Sequence, residues 1–564
     1  MGIKLFYVIL QFDRKVKPMA KVKIKKQPEK PKYLLSNAIV NYFLLVMFAF
    51  FPLFVNITVN GSFPFLHFDD GFGGIRHQKY YFFVAMAALA VISEILLIFT
   101  EVTGEKKSQS SRKSILDNIT FVDWAVIALV LSCAISTVFS PYIELAFWGE
   151  VKVGAGSTGR NNGLFLILLY SFVYFMITRL YKYKEYVFTA LAISCSVVYL
   201  LTVLNGYYID PLNMLEKYKV SQPNVYMEFF STIGNKNMLA SFICVTLPVI
   251  FVMSILTKSM WRRVVYLCST GLGAMAVIVD DSDSAMLGLA VFFAVFLVVF
   301  ARDISRLKRY FLALTIMLGS IKILRLFSLI MNDNYKELGD IPKGILFSGA
   351  VYILIIISAA ITALLWLLDN KKPNYTLPKV VPIALGSVFG AVVVAALGVF
   401  IYFSVIDTET KLGSMEKLLR MNDAWGTHRG IMWLRSFKIF GEASFFQKLF
   451  GTGPDTFYYA FEPYFTELQK FGNTSTDAAH NEYINYLVTI GIAGLAAYLA
   501  FVGGALVRAF KAAKQQPIVL AAAAAVICYA AQAVVNIAVP ISAPLFIIFV
   551  SLCEAFARQE KAAV

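Results

Sequence analysis

Apolar residues run through this chain in stretches of about twenty, separated by shorter polar segments. The stretches fall near 37–57, 79–100, 120–139, 162–180, 187–206, 237–256 and 264–280, then near 284–301, 310–330, 344–367, 380–404, 485–507, 518–538 and 541–557. A helix rises about 1.5 Å per residue, so about twenty residues cover the ~30 Å hydrocarbon core of a bilayer. Backbone polar groups in that core must be satisfied within the segment, which an unbroken apolar run achieves as a helix. The pattern therefore predicts an all-α polytopic membrane protein with about 14 transmembrane helices. The longest polar interval, 405–484, contains apolar residues at helical spacing and is read as one large, partly helical external loop.

Composition narrows the class. Of 564 residues, 59% are hydrophobic and 15% charged, against roughly 45–50% and 25% in soluble domains. A soluble globular protein is excluded, and 49 Phe with 29 Tyr exclude a disordered one. The net charge of +16 admits two readings, nucleic-acid binding or basic cytoplasmic loops. With the N-terminus inside, cytoplasmic segments hold 32 of the 51 Lys and Arg and external segments 17. This positive-inside asymmetry accounts for the charge, so no nucleic-acid partner is expected and both termini are read as cytoplasmic. The plan is then a basic cytoplasmic segment at 1–36, helices over 37–404, an external catalytic loop at 405–484, helices over 485–557 and a cytoplasmic tail at 558–564. The first 36 residues carry ten Lys/Arg and only a short apolar patch, so no cleavable signal peptide is expected. Met19 offers a second plausible start, which would leave residues 1–18 outside the protein. The six cysteines lie in apolar runs without CxxC spacing or a nearby His, so neither a disulfide nor a zinc site is expected.

Candidate chemistry gathers on the external side. The intervals 58–78, 140–161, 207–236 and 405–484 hold all four histidines, His67, His77, His428 and His480. The cytoplasmic loops are short and carry no phosphate-binding glycine loop or acidic metal cluster. An external enzyme has no nucleotide sugar or ATP, so its substrates are molecules already activated and carried across the membrane; lipid diphosphate sugars fit. Within 405–484, Gly430, Trp433, Leu434, Phe437 and Phe440 form an apolar stripe at helical spacing, with Thr427 at the expected N-cap. First-turn amides and Arg429 would then form an anion site, the guanidinium gripping two phosphate oxygens at once. The alternative is a surface helix with a solvated arginine. Farther along, Thr474 to Asp477 has the pattern of a capping-box start, and the helix it opens carries His480, Asn481, Glu482 and Tyr483. A helix N-terminus disfavours imidazolium, so His480 is expected to be neutral and able to accept a proton; the alternative is an interfacial His bonded to headgroups or water.

Five segments, in order, carry a family resemblance: GRNNGL (Gly159 to Leu164), STIGNKNMLAS (Ser231 to Ser241), THRGIMW (Thr427 to Trp433), LFGTGPDTF (Leu449 to Phe457) and AAHNEYINYLVTIGIAGLAAY (Ala478 to Tyr498). Together they resemble the O-antigen ligase and polymerase family, the HNEY and GIAGL block being the most specific. The resemblance implies a GT-C-like, metal-independent, inverting glycosyltransferase that needs no cofactor. It would move a glycan from undecaprenyl diphosphate to a glycan, lipid or protein acceptor, on the outer face of the bacterial cytoplasmic membrane, in cell-surface polysaccharide biosynthesis. It further implies that His480 acts on the acceptor and that Arg429 holds the diphosphate. Ligase, polysaccharide polymerase and protein O-oligosaccharyltransferase share these motifs. A transporter or flippase of lipid-linked sugars would instead show repeated halves with discontinuous helices, and no such repeat is seen.

One family element is missing. Where many members have Ser-Arg-Gly-Ala at the outer start of a helix, this chain has Ser282, Asp283, Ser284 and Ala285 within the acidic run Asp280, Asp281, Asp283. A carboxylate cannot hold a diphosphate. Lys322 and Arg325 share one helix face, and Arg325 either reaches the outer surface as a substitute or pairs with the acidic run or with Glu94. Arg160 is a second diphosphate candidate, with interfacial snorkelling as its alternative. Asn235 and Asn237 are candidates for sugar hydroxyls, although capping the following helix accounts for them better. Asn481 and Trp433 are further candidates for substrate contact. Gly451, Gly453 and Pro454 read as a turn without chemistry, and Phe461, Tyr464 and Phe465 as loop core rather than sugar-stacking rings.

Overall fold

The structure, a computed structural model, describes residues 31–55, 74–103, 118–150, 152–153, 156–157 and 159–561 except 217, 222 and 374. The expectations for residues 1–30 and for His67 lie outside the described residues. The first half of the chain forms α1 (Pro31–Ala49), α2 (Gly74–Thr103), α3 (Phe121–Val138), α4 (Leu164–Leu180), α5 (Glu185–Gly206), α6 (Lys236–Leu256) and α7 (Met260–Asp280). Then come α8 (Asp283–Phe300), α9 (Ile304–Ile330), α10 (Asp340–Phe347), α11 (Ala350–Lys371) and α12 (Val380–Ile401). After a segment holding α13 (Trp425–Glu442) and α14 (Phe445–Phe450), the chain returns through α15 (Glu482–Thr489), α16 (Gly491–Ala512), α17 (Val519–Gln532) and α18 (Ala543–Lys561).

Among the described residues, ten helices are long and apolar enough to cross a membrane, accompanied by shorter apolar helices at Leu35–Ala49, Leu164–Leu180 and Val519–Val535. The chain is an all-α polytopic membrane protein, with paired strands limited among the described residues to two two-residue ribbons. Local chemistry sets several starts. Thr120 and Asp123 form a capping box on α3, while Asn235 caps α6 and Asp303 caps α9 through their side chains. Two expected spans are broken. The stretch 344–367 divides between α10 and α11, and Lys322 donates to the carbonyls of Leu346 (2.9 Å) and Ser348 (2.7 Å) at that break. The stretch 485–507 divides at Ile490 into α15 and α16.

The core sits around α6, whose apolar window is 94% buried, whereas none of the window of α12 is. Ala521 to Ala525 of α17 are all fully buried, and their small side chains let this helix lie close against α6. The segment between α12 and α15 folds on an apolar core of its own: Ile431, Met432, Trp433, Phe457, Phe461 and Leu468 pack with Ile484 and Val488 of α15. The LFGTG turn locks this segment to the bundle. Gly451 (φ 76°) and Gly491 (φ 67°) lie backbone against backbone, so a Cβ on Gly451 would stand 2.2 Å from Thr489. At the opposite end of the bundle, Asp123 meets Arg179 (3.3 Å) and Arg558, while Glu554 meets Arg558 (2.9 Å) and Arg508 (2.5 Å). This buried network ties α3, α4, α16 and α18 together.

Candidate functional site

His480 is not inside a helix. Asn481 adopts extended backbone and its Oδ1 accepts from the N–H groups of Tyr483 and Ile484, both at 3.0 Å, so α15 begins at Glu482. The expected start at Thr474 to Asp477 is therefore a turn instead, in which Thr476 Oγ1 donates to the Ala478 carbonyl at 2.8 Å. His480 precedes the cap with φ 50°, in the left-handed region that costs a non-glycine residue energy. Its neighbours hold it there. Trp433 Nε1 donates to the Ala479 carbonyl (3.0 Å), and the Ala479 N–H donates to Asn485 Oδ1 (3.3 Å). Glu482 accepts from Tyr498 (2.6 Å) on α16 and Tyr529 (2.9 Å) on α17. Asn481 is thus a buried helix cap and Trp433 a buried support for the His480 turn.

Arg429 comes from α13, whose first turn also departs from the expectation. Gly426, Thr427 and His428 all take left-handed φ/ψ, so right-handed helix begins only at Arg429 and Thr427 is no N-cap. The Thr427 hydroxyl donates to the Gly426 carbonyl instead. Gly430 packs so tightly that a Cβ would lie 1.8 Å from the Asn422 carbonyl oxygen. The buried face of α13 carries Ile431, Met432, Trp433 and Ser436, whereas Leu434 and Phe437 of the expected stripe point outward. Arg429 Nη1 donates to the Gly426 carbonyl (3.0 Å), and its buried Nε has no hydrogen-bond partner. Among the described residues no carboxylate pairs with it at ion-pair distance. Burial lowers its pKa, and the nearby Asp283 partly opposes that.

A second set of charges also bears on His480. Arg160 is 1% exposed, and its Nε donates to Asp455 Oδ1 at 2.8 Å. The other Asp455 oxygen accepts from the Asn162 N–H at 3.1 Å. Asp477 meets Arg76 (3.5 Å) and Arg160 (3.9 Å). Three parts of the chain far apart in sequence thus build an array of two guanidinium groups and two carboxylates. Burial disfavours the charged form of Arg160, yet Asp455 and Asp477 more than offset this and raise its pKa. Burial likewise favours protonated Asp477, but Arg160, Arg76 and His480 outweigh it and hold the carboxyl below its ordinary value.

These surroundings make His480 a neutral imidazole. Its pKa is pushed down to about 4, first by burial, then by Arg429, Arg160 and Arg76, against the opposing pull of Asp477. The expected direction holds, but the cause is burial among cations rather than a helix N-terminus. Arg160 is buried and not a snorkelling interfacial residue; its Nε is taken by Asp455, while its Nη1 has no hydrogen-bond partner. Arg325 pairs with Asp333 and lies over the Phe347 ring at 4.4 Å, so neither the acidic run nor Glu94 is its partner. Asn235 caps α6 and donates to Glu228 (3.1 Å), and Asn536 bonds the Asn237 carbonyl (2.9 Å). Asp281 accepts from the Gly339 N–H at 2.8 Å; burial raises its pKa, which this bond and Lys236 oppose.

Arg76, Asp455, Asp477 and Glu482 were not among the candidates read from sequence. Asp455 and Asp477 did lie within or beside the motif segments, but nothing local marks their partners. Together, His480 and Arg429 offer a proton acceptor beside a cation that has an unbonded edge, at one end of a membrane bundle. Among the described residues, no three His, Cys, Asp or Glu side chains are grouped so as to hold a metal ion. No curated protein matches the chain. Residues 345–499, which include Arg429, Asp455, Asp477 and His480, match the family model described as O-antigen ligase, so the family that the five motifs resemble is the one this comparison returns.

Proposed function

We propose that this protein transfers a glycan from undecaprenyl diphosphate to an acceptor hydroxyl, with inversion and without a metal ion. The reaction takes place on the outer face of the bacterial cytoplasmic membrane, during cell-surface polysaccharide assembly. The observation that carries the reading is the buried Arg429, whose Nε has no hydrogen-bond partner and which lies near enough to the buried His480 to depress its basicity. The acceptor oxygen attacks the anomeric carbon, the bond from that carbon to the diphosphate oxygen breaks, and the acceptor proton passes to His480. A positioned base of this kind contributes typically about 10²- to 10⁴-fold in rate. Arg429 stabilises the negative charge that grows on the departing diphosphate. The two roles reinforce each other. Arg429 is one of the cations that depress the basicity of His480, so a diphosphate bound at Arg429 offsets that charge and raises the proton affinity of the base when it is needed.

Ligase, polymerase and protein O-oligosaccharyltransferase activities share this chemistry and differ in the acceptor. The segment 405–484 would hold the reacting groups while the bundle holds the lipid. The test is reconstitution of the purified protein in vesicles containing an undecaprenyl-diphosphate-linked glycan and each acceptor class. Glycosylated acceptor together with free undecaprenyl diphosphate is the expected outcome, at a rate that chelators leave unchanged. Movement of intact lipid-linked glycan between leaflets without product would overturn the proposal in favour of a flippase. A rate abolished by chelator and restored by a divalent ion would overturn its metal-free mechanism.

A further inference from the structure

Asp477 is not needed to build the turn before α15. That turn is closed by Thr476, Asn481, Trp433 and Asn485. Its carboxylate instead reaches across to Arg76 at the start of α2 and to Arg160 ahead of α4, residues that belong to other parts of the chain. Arg160 is already paired with Asp455 at 2.8 Å, whereas Asp477 stands at the longer distances of 3.5 Å from Arg76 and 3.9 Å from Arg160. It lies three residues before His480, and the two groups influence each other's ionisation. The cations that bear on His480 are Arg429 from α13 and Arg160 and Arg76 from the array; Asp455 is taken up by Arg160, and Glu482 by Tyr498 and Tyr529. A proton arriving on His480 would therefore create an imidazolium near three guanidinium groups, with Asp477 the carboxylate that opposes them most directly.

We propose that Asp477 is a positioning residue that supplies the counter-charge for protonated His480, and that Arg76 and Arg160 keep it ionised and fixed in place. The inference rests on the base role given to His480 above. In the free protein Asp477 moderates the depression of His480 basicity; during transfer it stabilises the imidazolium. The proton taken from the acceptor stays on His480 until product leaves and then passes to water, so Asp477 remains ionised throughout. A carboxylate with this role works through electrostatics and orientation, so its loss should affect turnover far more than donor binding.

The test uses the full-length protein in vesicles with Asp477→Asn and Asp477→Glu. The readouts are donor affinity, the pH dependence of turnover, and peptide-resolved carbethoxylation of His480 by diethyl pyrocarbonate as a function of pH. The asparagine variant is expected to lose turnover by about 10²-fold or more, with donor affinity little changed. Its His480 modification midpoint should move to lower pH, and the glutamate variant should recover part of the turnover and the midpoint. An unchanged midpoint in Asp477→Asn protein that still binds donor would overturn the counter-charge role. Carbethoxylation is read without the reaction. A shifted midpoint alongside unchanged turnover would uphold the electrostatic link and overturn the role of Asp477 in catalysis.

Discussion

His480 takes up its proton at about pH 4 in the folded chain, against about 6.5 for a free imidazole. Between those values the unfolded chain binds the extra proton and the folded one does not, so acidification through that window removes stability; above it the His480 contribution is constant. The same shift governs activity. The acid limb of kcat/KM, which reports the free enzyme, is expected well below the ordinary imidazole value, and the limb of kcat, which reports the donor complex, at higher pH. A pH-rate series on one preparation checks both limbs; coincident limbs near the free imidazole value would contradict the burial of His480 among cations. At this scale the sequence was informative where candidates lie in a motif, as with His480 and Arg429, which the fold brings close enough to influence each other. It was uninformative about Arg76, Arg160, Asp455 and Asp477 as a group, because residues separated by hundreds of positions leave no local pattern when they pair. Arg325 shows the same limit: helix geometry placed it toward one end of α9, but its partner Asp333 lies in the loop just beyond that helix.

The helices themselves were largely legible, since a run of apolar residues in a bilayer has few conformations open to it. Their ends were not. The turn before α15 and the left-handed start of α13 both resemble capping sequences, and in both the tertiary contacts decide: Asn481 captures two amides of α15, and Asn422 lies against Gly430. Gly430 is the position where this can be tested. A methyl group 1.8 Å from the Asn422 oxygen cannot be accommodated without moving the backbone beside Arg429. Gly430→Ala is expected to destabilise the segment by about 1–3 kcal/mol, as overpacking does. It should also weaken donor binding, while the membrane bundle stays folded. Limited proteolysis of the 405–484 segment beside a donor-binding measurement checks this, and wild-type behaviour in both would show that the close approach does not set the place of Arg429.

Across the whole molecule, charge is concentrated at the two ends of an apolar bundle and serves different purposes. The array around His480 sits at one end. The network of Asp123, Arg179, Arg558, Glu554 and Arg508 at the other joins four helices and lies far from the reacting groups. Asp123→Ala removes the carboxylate that pairs with Arg179 and one of the two that hold Arg558, a change expected to cost about 3–5 kcal/mol. It should appear as earlier thermal unfolding in detergent with unaltered activity per folded molecule; lost activity at full stability would assign this end a part in the reaction. The acidic run at Asp280, Asp281 and Asp283 is the main departure from the pattern of the family the motifs resemble, and Asp283 is near enough to Arg429 to oppose the effect of its burial. The claim on which all of this depends is that His480 accepts the acceptor proton while Arg429 holds the donor. Single-turnover transfer from an undecaprenyl-diphosphate-linked glycan by His480→Ala protein, measured beside its donor affinity, tests it most directly. The account predicts unimpaired donor binding with transfer reduced by about 10²-fold or more, and near wild-type transfer by that variant would contradict it.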